Sequence, residues 1–187
     1  MLDTLITSKT RLKLLLRFFL NSNSEAHLRL LAGELGESSN AIRVELNRFE
    51  HAGLLTSRNE SNRRVFRANT SHPLFPDINS IIRKYIGIDQ ILDKVIAEIG
   101  AIERVYLSGS LAQGINNPII DLIIVGCSIN MEFLSKLVSK ASGLINRHIS
   151  YVVMTAAEYQ SSFPGNAMHL LIFGVEPVSD AANGESG

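Results

Sequence analysis

VYLSGSLAQGINNPIIDLIIV, residues Val105 to Val125, decides how the second half of this chain is read. Its two apolar runs, Val105-Tyr106-Leu107 and Ile119 to Val125, are too short for helices and rich in β-branched residues, so they predict neighbouring strands. Between them Gly109-Ser110 lets the backbone pass close to whatever sits at the strand end. A short polar loop then leads into the second strand, which carries the one acid of the stretch, Asp121.

The stretch resembles the signature of the minimal, polymerase-β-like nucleotidyltransferases, in which a strand ends in Gly-Ser, a small helix follows, and the next strand carries Asp-x-Asp. Gly109-Ser110, Ala112, Gly114, Pro118 and Asp121-Leu122 match, and Ile119 stands where the first Asp belongs. The resemblance implies a small mixed sheet with helices packed against it. It also implies two cations about 4 Å apart, which such chemistry uses to neutralise phosphate charge. Carboxylates at i and i+2 of a strand share a face, but Ile119-Ile120-Asp121 supplies only one. The family brings a third carboxylate from a later strand, here His148 to Met154, and that segment has no acid. A lone Asp121 is a poor ligand set for Mg²⁺. The expectation is a fold that kept its shape without its catalysis, with no catalytic residue, metal or cofactor assigned. Gly109, Ser110 and Asp121 are read as a nucleotide-binding remnant, whose backbone could still cradle a phosphate.

The whole chain has 187 residues, enough for one domain or two small ones, and 45% of them are apolar, which suits ordinary packed cores. Leu12 to Leu20 is too short for a membrane span and is interrupted by Arg17, and no small-residue cleavage site marks it as a secretory signal. The single cysteine, Cys127, excludes an internal disulfide and agrees with a reducing, cytoplasmic location. Charge is uneven along the chain. Residues 1–85 hold thirteen Lys and Arg against eight Asp and Glu, whereas residues 86–187 hold five against ten. A basic half joined to an acidic half is the asymmetry expected when one part meets nucleic acid.

The basic half, residues 1–70, predicts three helices and a hairpin. Leu12, Leu15, Leu16 and Phe19 stripe a first helix from about Lys9 to Asn21. Leu28, Leu31 and Leu35 repeat at helical spacing up to Gly36, a C-terminal glycine. Ser38 and Ser39 are N-cap candidates for a third helix with Ile42, Leu46 and Phe49 inward, so that Asn40, Arg43 and Asn47 face out. Two short strands around a polar, Asn-containing tip follow His51-Ala-Gly-Leu-Leu55. These residues resemble the winged helix-turn-helix repressors of the ArsR-like and MarR-like kinds, over about residues 8 to 70, without the metal-sensing cysteines of many ArsR-like members. The resemblance implies that the third helix enters the major groove of double-stranded DNA while the wing lies against backbone or minor groove. Ser39, Asn40, Arg43 and Asn47 are the candidate groove contacts, Arg43 and Asn47 towards base edges. Arg58, Arg63, Arg64 and Arg67 are candidate phosphate contacts of the wing.

Residues 71–100 predict connecting helices. Pro73 and Pro76 punctuate the end of the wing, and Ile78 to Ile86 and Ile91 to Ile96 give two amphipathic helices. The first of these, with the first helix of the chain, offers apolar surface that predicts a homodimer. Residues 101–176 alternate strands near 104–108, 119–126 and 148–154 with a helix through Phe133 to Ala141, a short helix capped by Thr155, and a last strand at Leu170 to Val175. Residues 177–187, small, polar and acidic, are expected to be disordered. The fold class is therefore a two-domain α+β or α/β chain.

Two functions remain open. One is a DNA-binding transcriptional regulator with a catalytically inactive nucleotidyltransferase-like domain serving dimerisation, partner binding or ligand sensing. The alternative is an active minimal nucleotidyltransferase, an antitoxin that modifies a protein partner from an adjacent gene and also autoregulates its operon. The carboxylate count favours the first.

Overall fold

The computed structural model describes residues 2–99, 101–164 and 169–175. It is a mixed α+β structure with two separate sheets, one from each half of the sequence.

A short helix α1 (Leu2–Leu5) precedes α2 (Lys9–Leu15), which Ser8 starts by accepting the Arg11 N–H at 3.2 Å. Helix α2 runs directly into a π-helical turn over Leu16–Leu20. Leu14, Leu15, Leu16, Phe18, Phe19 and Leu20 are all buried, so this segment is a core strut and not a striped surface helix. Arg17 is buried among them. Its guanidinium bonds Glu34 at 3.1 Å and also Ser24 Oγ, which keeps the charge paired.

Helix α3 (Leu28–Leu35) ends at Gly36 in the left-handed region, and α4 (Ser39–His51) begins after Ser38, whose Oγ accepts the Ala41 N–H. Strands β2 (Leu55–Glu60) and β3 (Arg63–Ala68) form the expected hairpin around Ser61-Asn62. A strand that was not expected, β1 (Glu25–His27), pairs antiparallel with β3 and gives the order β1-β3-β2. Three residues carry too little alternation to read as a strand. The β3 ladder, some forty residues further on, is what holds them extended.

Helix α5 (Phe75–Ile86) includes Phe75 and Pro76 in its first turn, a correction to the reading in which Pro76 punctuates the end of the wing. Proline is tolerated there because the first N–H groups of a helix have no intrahelical acceptor. The Phe75 ring packs on Phe19 at 5.6 Å between centroids, and Asn79 Nδ2 donates to Phe19 O at 2.6 Å. The apolar faces of the first helix and of α5, read from the sequence as surplus for a dimer, are therefore largely covered within the chain itself. Ile82 and Ile86 are buried, and Ile81 stays exposed.

Helix α6 (Ile88–Ile91), a second π-helical turn (Leu92–Ile96) and α7 (Ala97–Ile99) lead to β4 (Ile102–Ser108). Then follow a single helical turn α8 (Gly109–Ala112), β5 (Ile119–Gly126), α9 (Met131–Ile145), β6 (His148–Met154), α10 (Ala156–Ser162) and β7 (Leu170–Phe173). Thr155 and Glu158 start α10 as a capping box. The sheet has the order β6-β5-β4-β7, and it is mixed because β5 and β6 run parallel across the α9 crossover while the other pairs are antiparallel. Ile120, Leu122 and Ile124 of β5 join the main core with Leu134, Leu137 and Val138 of α9. Ile123 and Val125 point to the opposite face, where Tyr106 and Tyr159 stack at 4.4 Å.

One apolar core runs through both halves, from Leu2 and Phe18 through Ile42, Ile86 and Val95 to Leu107, Leu134 and Ile172. Among the described residues no helix is long and apolar enough to cross a membrane. The disorder expected for 177–187 concerns residues outside those described.

Candidate nucleic-acid interface

Helix α4 shows why its outward residues are presented so regularly. Ile42, Leu46 and Phe49 anchor one face in the core, which leaves Asn40, Arg43 and Asn47 exposed beside Ser39, the first helical residue. A buried carboxylate fixes the helix further. Glu45 accepts from Arg11 Nε at 2.9 Å, Arg48 Nη1 at 3.0 Å and Ser8 Oγ at 3.2 Å, so α4 is locked to the start of α2. Burial pushes the Glu45 carboxyl up, but the Arg11 hydrogen bonds and charge outweigh it and hold the group below the ordinary carboxylate range.

Between α4 and β3 lies a cleft of about 720 Å³. Its walls are Arg43, Leu46 and Asn47 of α4, His27, Leu28 and Arg29 where β1 passes into α3, and Asn62, Arg63, Arg64 and Phe66 of the hairpin. Four arginines thus converge on one concave surface with no acid among its lining residues.

The arginines are not equivalent. Arg64 is tied down by Glu50 at 2.6 Å and Ser57 Oγ at 2.9 Å, with its guanidinium 5.3 Å from the Phe66 ring. Arg43 and Arg29 make no ion pair or hydrogen bond among the described residues. Arg63 Nη1 lies 3.3 Å from His27 Nε2, while His27 Nδ1 accepts the Leu30 N–H at 3.2 Å and caps α3. In the neutral ring the proton therefore sits on Nε2, and two N–H groups meet with no acceptor between them.

Of the residues expected at a DNA contact, the structure brings Arg43, Asn47, Arg63 and Arg64 into this cleft. Arg58 and Arg67 line a separate, smaller hollow with Thr56, Ser57 and Val65. There Arg58 forks onto Glu25, at 2.6 Å through Nη2, and approaches Glu60 at 3.7 Å. The Arg58 hydrogen bond holds the Glu25 carboxyl below its usual value. His27, Arg29 and Asn62 were not anticipated at the site. Only the return of β1 along β3 brings the first two beside the hairpin, and a three-residue strand leaves almost no trace in sequence.

The strand ends of the second sheet give a different result. Gly109 has φ +63, and the Asp121 carboxylate lies against it, its Oδ2 2.7 Å from where a Cβ would stand. Asp121 is in register with Ser108 on one side and Ser150 on the other, and Ile119, two residues back, is 39% exposed. The positions that would have to supply further carboxylates are thus Ile, Ser and Ser. These residues do not fit a pair of cations, because one carboxylate cannot balance two divalent charges. Among the described residues no group of three His, Cys, Asp or Glu side chains comes together.

No protein-family model matches this chain, and no curated protein does. Solved structures that align with it include a protein from Archaeoglobus fulgidus, 16% identical over 44% of this chain and 93% of the other, with a TM-score of 0.37. Another is a "putative nucleotidyltransferase" from Sulfolobus solfataricus, 22% identical over 52% of this chain and 86% of the other, with a TM-score of 0.37. A third is a "possible transcriptional regulator for arsenical resistance", 25% identical over 51% of this chain and 90% of the other, with a TM-score of 0.30. Likeness at this level defines no family and carries no function across.

Proposed function

We propose that this chain is a DNA-binding transcriptional regulator, in which residues 1–70 act as a winged helix-turn-helix and the nucleotidyltransferase-like half does not transfer nucleotides. The observation that carries this reading is the cleft between α4 and the hairpin, lined by Arg29, Arg43, Arg63 and Arg64. With α4 in the major groove and the hairpin over the adjacent backbone, a DNA strand would pass through that cleft. Its phosphates would meet the guanidinium groups of Arg29, Arg43 and Arg63 there, with Arg64 already paired to Glu50. Arg43 and Asn47, exposed on successive turns of α4, can reach guanine and adenine edges. The second half serves dimerisation, partner binding or ligand sensing, since the positions around Asp121 where carboxylates would be needed are Ile119, Ser108 and Ser150.

The test is fluorescence anisotropy with duplexes from upstream of the gene and unrelated duplexes of equal length, titrated at several salt concentrations. Binding that is tighter for the upstream DNA and weakens steeply with salt is expected. No affinity for either duplex at low salt overturns the reading.

A further inference from the structure

Two edges bound the second sheet, and they differ. The β7 edge is four residues long and its pairing with β4 is broken by a register shift. The β6 edge is seven residues long, pairs with β5 without a shift, and reads His-Ile-Ser-Tyr-Val-Val-Met. It contains no Lys, Arg, Asp, Glu or Pro and no bulge, the devices that usually keep an edge strand from pairing.

The hydrogen bonds of β6 specify what can be added to it. His148 N donates to Pro118 O at 3.2 Å, so the even-numbered residues of β6 point their backbone groups at β5. Alternation turns those of Ile149, Tyr151 and Val153 outward. Ser142 Oγ of α9 takes the Ile149 N–H at 3.3 Å. The amides of Tyr151 and Val153 remain, with no partner among the described residues. Between them Val152 is 56% exposed, an uncommon position for a valine flanked by strand residues.

We propose that β6 is the seam of a homodimer, in which two copies of this chain pair β6 antiparallel about a two-fold axis through Val152. Tyr151 of each copy exchanges both backbone hydrogen bonds with Val153 of the other. Ile149 is excluded from the ladder by Ser142, and that is why the register centres on 152 and not on 151. A two-fold seam sets the strand against itself, and an uncharged strand is one that does not repel its own copy. Val152 then faces Val152 in a pair without mutual backbone bonds, the closer of the two antiparallel pairings. Its exposed side chain is covered by the only residue the symmetry allows. The two sheets become one of eight strands. This seam replaces the α2 and α5 faces, which the chain largely covers itself, as the dimer contact.

The experiment uses the full chain. In a Cys127→Ser background, Val152→Cys should form a disulfide-linked dimer on mild oxidation, because about 4.5 Å between Cα atoms lies within disulfide reach. Ser150→Cys, which would face Met154, should not crosslink. Val152→Lys, at a position exposed in the single chain, should halve the molar mass seen by light scattering while the circular dichroism spectrum stays that of the folded chain. A wild-type chain that is monomeric at tens of micromolar overturns the proposal and leaves the edge to a strand of another protein. A Val152→Lys variant that stays dimeric, or a Val152→Cys variant that does not crosslink, overturns it as well. None of these readouts involves DNA, so failure here is distinct from failure of the DNA-binding reading.

Discussion

Gly114 rests directly on the backbone of Arg17: a Cβ at 114 would stand 2.7 Å from Leu16 O and 2.8 Å from Arg17 O. The loop after α8 thus lies flush on the central strut of the other half, and Asn21 Nδ2 reinforces the joint by donating to Ala112 O at 3.0 Å. Gly114 also has φ +75, so a side chain is excluded by conformation as well as by contact. Backbone cannot give way as a side-chain tip can. Gly114→Ala is expected to lower stability by about 3 kcal/mol or more, whereas Asn21→Ala should cost about 1 kcal/mol. Urea denaturation of the two variants checks the ranking.

Glu45 gives the fold a definite acid sensitivity. Its folded-state carboxyl lies below the ordinary value of 4.5, so its contribution is present above that value and is lost as pH falls through the lower one. Glu45→Gln should therefore destabilise by about 1–3 kcal/mol near neutrality. The gap between variant and wild type should close in melts taken from pH 5 down to pH 3. A gap that is constant over that range would assign the carboxylate no part in the acid response.

The ion pairs rank the arginines towards DNA. Arg43→Ala should cost about 1–3 kcal/mol at one base pair and relax specificity there. Arg63→Ala should weaken all sequences alike and lower the salt slope by about one unit. Arg58→Ala should change binding least of the three, because Glu25 already neutralises that charge. Anisotropy titrations against single-base operator variants at several salt concentrations separate the three outcomes.

The missing carboxylates can be put back. Ile119→Asp with Ser150→Asp places one acid two residues back along β5 and one across from Asp121 in β6, at two positions exposed enough to accept them. The double variant is expected to bind Mn²⁺ by calorimetry, while the wild type does not. Labelled nucleoside triphosphate should not be transferred by the wild-type chain to itself or to proteins of adjacent genes. Transfer that disappears in Asp121→Ala would promote the active-enzyme alternative.

Elements with strong local signals were legible from the residues alone. The 3.6-residue spacing of Ile42, Leu46 and Phe49 with Ser38 ahead of them located α4, and the apolar runs around Gly109-Ser110 located β4 and β5. Thr155 located α10 for the same reason, since a cap and its helix are adjacent in sequence. What escaped was decided by distant partners. β1 exists only because β3 pairs with it, and so His27 and Arg29 could not be placed beside Arg63. Arg58 read as a free basic residue because Glu25 lies thirty-three positions away. The apolar surplus of the first helix looked like an interface because nothing local shows that α5 returns to cover it.

The apolar core shared by the two halves has a consequence for how the chain can be cut. Ile82, Ile86, Val95 and Ile96, in the stretch between the two sheets, belong to the same buried cluster as Phe18 and as Leu134. Each half therefore serves as part of the other's solvent shield, and a truncation near residue 70 or 100 would open a raw apolar surface on both products. The chain is therefore expected to melt in one step, with calorimetric and van't Hoff enthalpies equal, and a fragment carrying the cleft alone is expected to precipitate before it can bind anything.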